Sequence, residues 1–540
     1  MTDALRIEGY ALGYRTRAGE VPALTGIDLS IAAGETLGLV GASGSGKSSL
    51  AWAILRMLPA NAREGCGTIT LGGADLRTMS ARDLAHLRGK RIGMVFQDPS
   101  TSLNPTLRLG AQVMEVLVRH RGLTRAAAQA EARDWLARTG LADPDAIMRR
   151  YPHQVSGGEK QRVVIATAFA CRPELIILDE PTTALDVITG RLMLDLFASL
   201  RAEMPVACLY ISHDLGLVGH IADRVAVLAQ GRIVEQGPTR EVLLAPRATQ
   251  TRKLLDAIPD PTHRHAPPPP PKPAGLLAVN HVSVTYGRPG RLGRLLGAAP
   301  AVIAAHDVQL SLEQGEILGI VGESGSGKST LARALTGISR FDGEVVFDGR
   351  TRRGDDRMPQ AWHRDVQIVF QNPDASLNPR HRIATILSRP LRLHGGLSSE
   401  GISDGVARLL TEVGLPAAYA TRHPHELSGG EKQRVAIARA FAANPKLVIC
   451  DEITAALDVI VQAEIVRLLL ALQARHGTAC LFITHDLNLV RHIAHRIAVM
   501  RRGELVDLFE AEDFAATSRH PYTKALLEAV ASLARPESPA

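Results

Sequence analysis

Two unbroken apolar runs, Thr36-Leu37-Gly38-Leu39-Val40 and Ile317-Leu318-Gly319-Ile320-Val321, set the pattern of this chain. Runs of this length without polar alternation read as strands buried on both faces, as in a parallel sheet. Each leads through a glycine-rich loop into apolar residues at helical spacing, Ser49 to Leu55 and Thr330 to Leu335. Strand-like segments at Leu5 to Tyr14 and Ile27 to Ile31 precede the first loop. Leu109 to His120 and Arg125 to Thr139 carry a helical period, and Leu175 to Glu180 and Val206 to Ser212 read again as buried strands. Strands alternating with helices predict an α/β fold with a mainly parallel sheet, its ligands held at the carboxyl ends of the strands.

The pattern occurs twice. Lys47 and Lys328 lie 281 positions apart (328 − 47), Gln97 and Gln371 274 apart, and Ser156/Ser428, Asp179/Asp451 and His213/His485 each 272 apart. So long a period means duplicated domains, the second shorter between its loop and Ser428. The expected units are 1–258 and 276–540. Between them lies a proline-rich linker, 259–275, in which Pro267 to Pro271 favours an extended, semi-rigid spacer. A Gly/Arg stretch, Gly287 to Pro300, reads as a solvated loop.

Composition narrows the class little. The 540 residues suit two to four domains, and 45% apolar with 22% charged residues is ordinary for a globular protein. A net charge of +7 is mild, and no apolar run reaches the 18 residues of a membrane span. No signal peptide is expected at the amino terminus. The five scattered cysteines form no C-x-x-C pair, so reduced, mostly buried thiols are expected, and a metal or cluster site is the weaker alternative.

Candidate chemistry sits in the loops. Gly41-Ala42-Ser43-Gly44-Ser45-Gly46-Lys47-Ser48-Ser49 and Gly322-Glu323-Ser324-Gly325-Ser326-Gly327-Lys328-Ser329-Thr330 both fit G-x-x-x-x-G-K-[ST]. Glycines let the backbone curl so that N–H groups converge on an anion, and the helix that follows adds its positive end. Lys47 and Lys328 supply charge near the β- and γ-phosphates, and Ser48 and Ser329 can ligate Mg²⁺. A purely structural turn is the alternative; two copies in strand–loop–helix context weigh against it. Asp179 and Asp451 close apolar strands, where they suit Mg²⁺ water ligands, and Gln97 and Gln371 offer neutral amides at strand ends. Glu180 and Glu452 follow and should point away from the preceding Asp, as neighbours on an extended chain do; that suits a base or water-orienting group. His213 and His485 could donate to the γ-phosphate. Ser156-Gly157-Gly158-Glu159-Lys160-Gln161-Arg162 recurs unchanged at Ser428-Gly429-Gly430-Glu431-Lys432-Gln433-Arg434, a second anion-binding helix start in each copy.

With these residues the chain resembles the ABC ATPase superfamily, whose signature is Ser-Gly-Gly-Glu. The resemblance implies two P-loop domains in tandem, each with a parallel core, a helical subdomain and an antiparallel β subdomain. It implies ATP and Mg²⁺ as cofactors and head-to-tail pairing within the chain, Gly41–Ser48 facing Ser428–Gly430 and Gly322–Ser329 facing Ser156–Gly158. Tyr14 and Tyr286 match the aromatic that stacks on adenine. Ala184-Leu185-Asp186 and Ala456-Leu457-Asp458 match the segment that communicates across the interface. The stretches Phe96 to Pro105 and Phe370 to Pro379, with His520-Pro521-Tyr522-Thr523-Lys524-Ala525-Leu526-Leu527, resemble the peptide/nickel importer ATPases in fused form. That implies transmembrane permease subunits, a separate solute-binding protein, no nucleic acid, and a place at the cytoplasmic face of a bacterial membrane. Segment Asp98 to Val155 is the expected permease contact.

Three departures stand out. Ile453 replaces the usual proline, kept as Pro181 in the first copy; Arg247-Ala248-Thr249-Gln250-Thr251 has lost the His-Pro-Tyr-Thr pattern; and no cysteine follows Cys480, so no iron–sulfur cluster is expected. A ribosome-associated translation factor would join its halves by a long charged helix, and a DNA-repair ATPase would insert a coiled coil or zinc module after the loop. Neither feature is present in this sequence.

Overall fold

A computed structural model describes residues 3–16, 19–182, 186–258, 275–287, 301–354, 356–394, 398–455, 457–515 and 520–531. The expected linker, Gly275 excepted, the loop at 288–300, and Ala184, Leu185 and Ala456 lie outside these. The described residues divide into two compact units, one ending at Ile258 and one running from Gly275 to Ala531.

Among the described residues each unit is built on a six-stranded sheet. In the first the order is Arg232–Pro238, Arg224–Ala229, Thr36–Val40, Ala207–Ser212, Leu175–Asp179, Ile92–Val95. In the second it is Glu504–Glu510, Arg496–Arg501, Ile317–Val321, Ala479–Ile483, Leu447–Asp451, Val366–Val369. All neighbours run parallel except the first pair in each order. Every residue of the strands Thr36–Val40 and Ile317–Val321 is buried, because a central parallel strand is covered on both faces.

A smaller antiparallel sheet accompanies each core, built on Asp3–Thr16 with Gly19–Ala32 and on Gly275–Tyr286 with Val302–Glu313. These strands are longer than the apolar pattern predicts. Residues Gly19 to Pro22 are exposed and several register shifts interrupt the pairing, so no alternation marks that stretch. The second unit is shorter where the first holds the added strand Ala62–Glu64, paired with Leu12–Tyr14. Helices Leu109–Arg121, Arg125–Arg138 and Pro144–Arg149 form the helical part of the first unit. Ile383–His394 and Ser399–Glu412 form that of the second.

Both carboxyl-terminal tails keep a helix, Thr249–Asp256 and Pro521–Ala531, although the first has lost its sequence pattern. The anchor explains this. Glu235 accepts the N–H groups of Arg247 and Ala248, and Asp507 accepts the His520 N–H and the Thr523 hydroxyl. Thr251 and Thr523 are both buried. Four of the five cysteines are buried, which pushes the Cys480 thiol up to about 12; Cys66 is exposed.

The cores are close-packed at one glycine each. A Cβ on Gly38 would lie 2.2 Å from Val218 Cγ1, and one on Gly319 the same distance from Val490 Cγ1, so a helix rests directly on the strand backbone. Gly38→Ala should therefore destabilise the first unit by about 1–3 kcal/mol through overpacking. Thermal unfolding of Gly38→Ala, Val218→Ala and the double variant should show a coupling that recovers part of the loss. Strict additivity would contradict the close approach.

Candidate functional site

Each phosphate loop leaves the carboxyl end of a buried inner strand. Gly41 has no room for a side chain, since a Cβ would lie 2.2 Å from the Leu228 carbonyl oxygen, and at Gly322 it would lie 2.1 Å from that of Met500. Gly46 and Gly327 enter the helices Lys47–Ile54 and Lys328–Leu335 at φ 110° and 102°, left-handed values that glycine alone takes without strain. The loop tips, Ser43-Gly44 and Ser324-Gly325, are exposed, while Ser45 and Ser326 are buried beneath them. Lys47 and Lys328 are buried and fold back on their own loops. Lys47 Nζ donates to the carbonyls of Gly41 (2.7 Å) and Ala42 (3.0 Å), and Lys328 Nζ to those of Gly322 (2.7 Å) and Glu323 (2.8 Å).

The carboxylates converge on the loops. Ser329 Oγ donates to Asp451 Oδ1 at 2.7 Å, and Ser48 hydrogen-bonds Asp179. Burial pushes both aspartates above the usual carboxylate range. The adjacent glutamate adds to this, while the serine bond and the loop lysine oppose it. The strands end at these aspartates. Glu180 and Glu452 diverge from them not by strand alternation, as the sequence suggests, but because both turn left-handed, at φ 48° and 49°. Such a conformation costs a non-glycine residue about 1–3 kcal/mol and is held here by N–H bonds to Ile211 and Ile483.

Each glutamate is gripped from two sides. Gln97 Nε2 donates to Glu180 Oε2 and Gln371 Nε2 to Glu452 Oε2, both at 3.0 Å. His213 Nδ1 lies 3.1 Å from Glu180 Oε1, and His485 Nδ1 lies 3.8 Å from Glu452 Oε2. Burial disfavours charge on His213, yet Glu180 overcomes it and raises the imidazole above its ordinary value. Glu452 raises His485 likewise, and His485 in turn holds Glu452 below the carboxylate range. The histidines thus sit on the glutamates, a contact the sequence did not show.

Ser156 and Ser428 cap the helices Gly157–Phe169 and Gly429–Phe441. Each hydroxyl accepts from the N–H three residues on, and Glu159 and Glu431 return the bond to the serine N–H. A Cβ at Gly157 or Gly429 would meet nothing within 4 Å, so these tips are open. At Gly158 and Gly430 it would meet Thr189 Cγ2 (2.9 Å) and Val461 Cγ1 (2.6 Å). Tyr14 donates to Ser49 Oγ (3.0 Å), and the Tyr286 hydroxyl lies 3.2 Å from Ser339 Oγ; Tyr286 is 41% exposed. Thr330 is also a hydrogen-bond partner of Tyr286.

Sequence reasoning passed over one residue. Gln161, within the signature repeat, is buried and its Nε2 donates to the Pro181 carbonyl at 2.9 Å, tying the signature helix to the turn after Glu180. In the second unit Ile453 replaces that proline, and Gln433 Nε2 is buried without a hydrogen-bond partner. Glu452 keeps its backbone turn and its Gln371 bond regardless.

A lysine-bearing phosphate loop, a serine and an aspartate side by side, and a glutamate held by Gln and His define a P-loop nucleoside triphosphatase, present twice. The family profile described as "ABC transporter" matches residues 24–183 and 305–455, and one described as "Oligopeptide/dipeptide transporter, C-terminal region" matches 506–539. The glutathione import ATP-binding protein GsiA of Escherichia coli O6:H1 is 40% identical over 561 residues, covering 98% of this chain and 89% of that protein. GsiA of Shigella sonnei matches to the same extent. A dimeric ATP-binding cassette in a post-hydrolysis state with ADP and Pi is 30% identical, with a TM-score of 0.39 over 44% of this chain and 99% of its own. The chain belongs to the ABC transporter family, carries two of its ATP-binding domains, and is an ATPase.

The Glu452–His485 pair gives stability a pH signature. Its contribution is complete between the ordinary glutamate and histidine values, 4.5 and 6.5. It is lost as pH rises through the raised His485 value, and also as pH falls through the lowered Glu452 value. His485→Gln should flatten the fall in Tm above pH 6.5; an unchanged Tm–pH slope would remove the pair.

Proposed function

We propose that the chain is the ATP-hydrolysing subunit of an importer for peptides or related small solutes, with the domains taken as 1–258 and 276–540 and the linker as 259–275. It works beneath transmembrane permease subunits, at the cytoplasmic face of the membrane, with a separate solute-binding protein in the same system. One observation carries the reading: 40% identity over 98% of the chain to a protein named for glutathione import, together with a match to an oligopeptide/dipeptide transporter tail. Among the described residues no helix is long and apolar enough to cross a membrane, so the reading assigns that role to partner chains.

Each ATP is gripped by one loop and covered by the Ser-Gly-Gly helix start of the other half, Gly41–Ser48 with Ser428–Gly430 and Gly322–Ser329 with Ser156–Gly158. Tyr14 and Tyr286 stack on adenine, and Asp186 and Asp458 belong to the segments that relay closure. The oxygen donors fit Mg²⁺, which takes few protein ligands and keeps water and phosphate for the rest; Ser329 Oγ and Asp451 Oδ1 already lie 2.7 Å apart. Ser48, Gln97 and Asp179, and Ser329, Gln371 and Asp451, would hold the ion, which when bound offsets charge on the phosphates. Glu180 and Glu452 orient the attacking water. His213 and His485, using Nδ1 toward the glutamate, keep Nε2 to donate to the γ-phosphate. The work is positioning and charge compensation.

The helical segment Asp98 to Val155 is the permease contact. It carries a cavity of about 600 Å³ lined by Arg108, Met114, Val118, Arg119, Met148 and Arg149, among others, a mixed apolar and basic surface.

Glu180→Gln and Glu452→Gln should each retain ATP and slow its hydrolysis by about 10² or more. Unchanged turnover would take either glutamate out of the catalytic role. Lys47→Ala and Lys328→Ala should each impair nucleotide binding. Detergent-solubilised membrane subunits should copurify with the chain; ribosomes or DNA in their place would favour the translation-factor or repair reading.

A further inference from the structure

The carboxyl-terminal helix reaches the second phosphate loop. The Tyr522 hydroxyl accepts a hydrogen bond, 2.9 Å, from the backbone N–H of Glu323, the second residue of Gly322–Ser329. Tyr522 is 4% exposed, with the Arg501 guanidinium 4.9 Å from its ring centroid. Its position is set before it meets the loop. Asp507 accepts the His520 N–H and the Thr523 hydroxyl, and the Tyr522 N–H donates to His520 Nδ1 at 3.1 Å.

Glu323 is bound at both backbone groups. Its N–H goes to Tyr522, and its carbonyl accepts from Lys328 Nζ at 2.8 Å. One residue therefore joins the tail helix to the lysine that meets the phosphates. A loop held in its binding geometry gives up less freedom on taking a ligand. Among the described residues no such contact is made at the equivalent place of the first unit. Its tail helix aligns through Thr251 with Thr523, which sets Gln250 where Tyr522 stands, and Gln250 is exposed.

We propose that Tyr522 is a positioning residue for the second nucleotide site alone, so that ATP affinity at Gly322–Ser329 depends on the carboxyl-terminal region while that at Gly41–Ser48 does not. The proposal rests on reading Gly322–Ser329 as an ATP site.

Tyr522→Phe tests it, because phenylalanine keeps the ring and its packing against Arg501 and removes the hydroxyl that accepts from Glu323. Binding of a fluorescent ATP analogue with Mg²⁺ is measured on the full chain in two backgrounds: Lys47→Ala, which leaves the second loop, and Lys328→Ala, which leaves the first. The expected result is a Kd raised about three- to tenfold in the first background and unchanged in the second. An unchanged Kd in the Lys47→Ala background, or equal losses in both, would overturn the proposal. If the Lys47→Ala/Lys328→Ala chain still binds like the parent, the reading of the loops as ATP sites fails instead.

Discussion

Negative charge crowded at one edge of a sheet is the condition on which this structure turns. Asp179 and Glu180, and Asp451 and Glu452, stand in succession where a buried parallel strand ends, a few residues in space from a loop shaped to receive phosphates. Desolvation alone drives the aspartates toward neutrality, and each glutamate worsens it. The fold answers with geometry and cations. A left-handed turn at the glutamate separates the two carboxylates, a serine hydroxyl serves the aspartate, and the loop lysine and a histidine face the glutamate's side. What remains is a deficit of positive charge, which suits this edge of the sheet to a bound cation.

The duplication did not leave two identical sites. The first ties its signature helix to the turn after Glu180 through Gln161 and the Pro181 carbonyl, whereas in the second Gln433 Nε2 is buried without a hydrogen-bond partner. His213 stands closer to its glutamate than His485 does. The second site has the tail helix beside its loop, where the first has an exposed glutamine. Glu180 and Glu452 nonetheless share backbone angle and glutamine bond, so the parts nearest the chemistry agree while their supports differ.

Most of the framework was legible in the chain. Thr36–Val40 and Ile317–Val321 were plain because a fully buried strand has no polar alternate to blur it, and the loops because close backbone approach admits only glycine. Gly19 to Gly26 was not, since exposed residues and bulges erase the period of two. The left-handed turn at Glu180 and Glu452 was hidden, for the residue type gives no hint of positive φ; tertiary bonds impose it. The tail helix of the first unit survived loss of its motif because Glu235 and Thr251, 272 positions before Asp507 and Thr523, keep the anchor. The contact of Tyr522 with Glu323 spans 199 positions, and no local pattern reports that distance.

The central claim is that ATP is enclosed by the loop of one half and the Ser-Gly-Gly start of the other. Ser43→Cys with Gly429→Cys places thiols on two exposed tips, and Cys66→Ser removes the exposed native thiol. In a Glu180→Gln/Glu452→Gln chain, oxidation with ATP should join Cys pairs across the halves, and oxidation without nucleotide should not. A yield that is absent with ATP, or equal with and without it, would contradict the account.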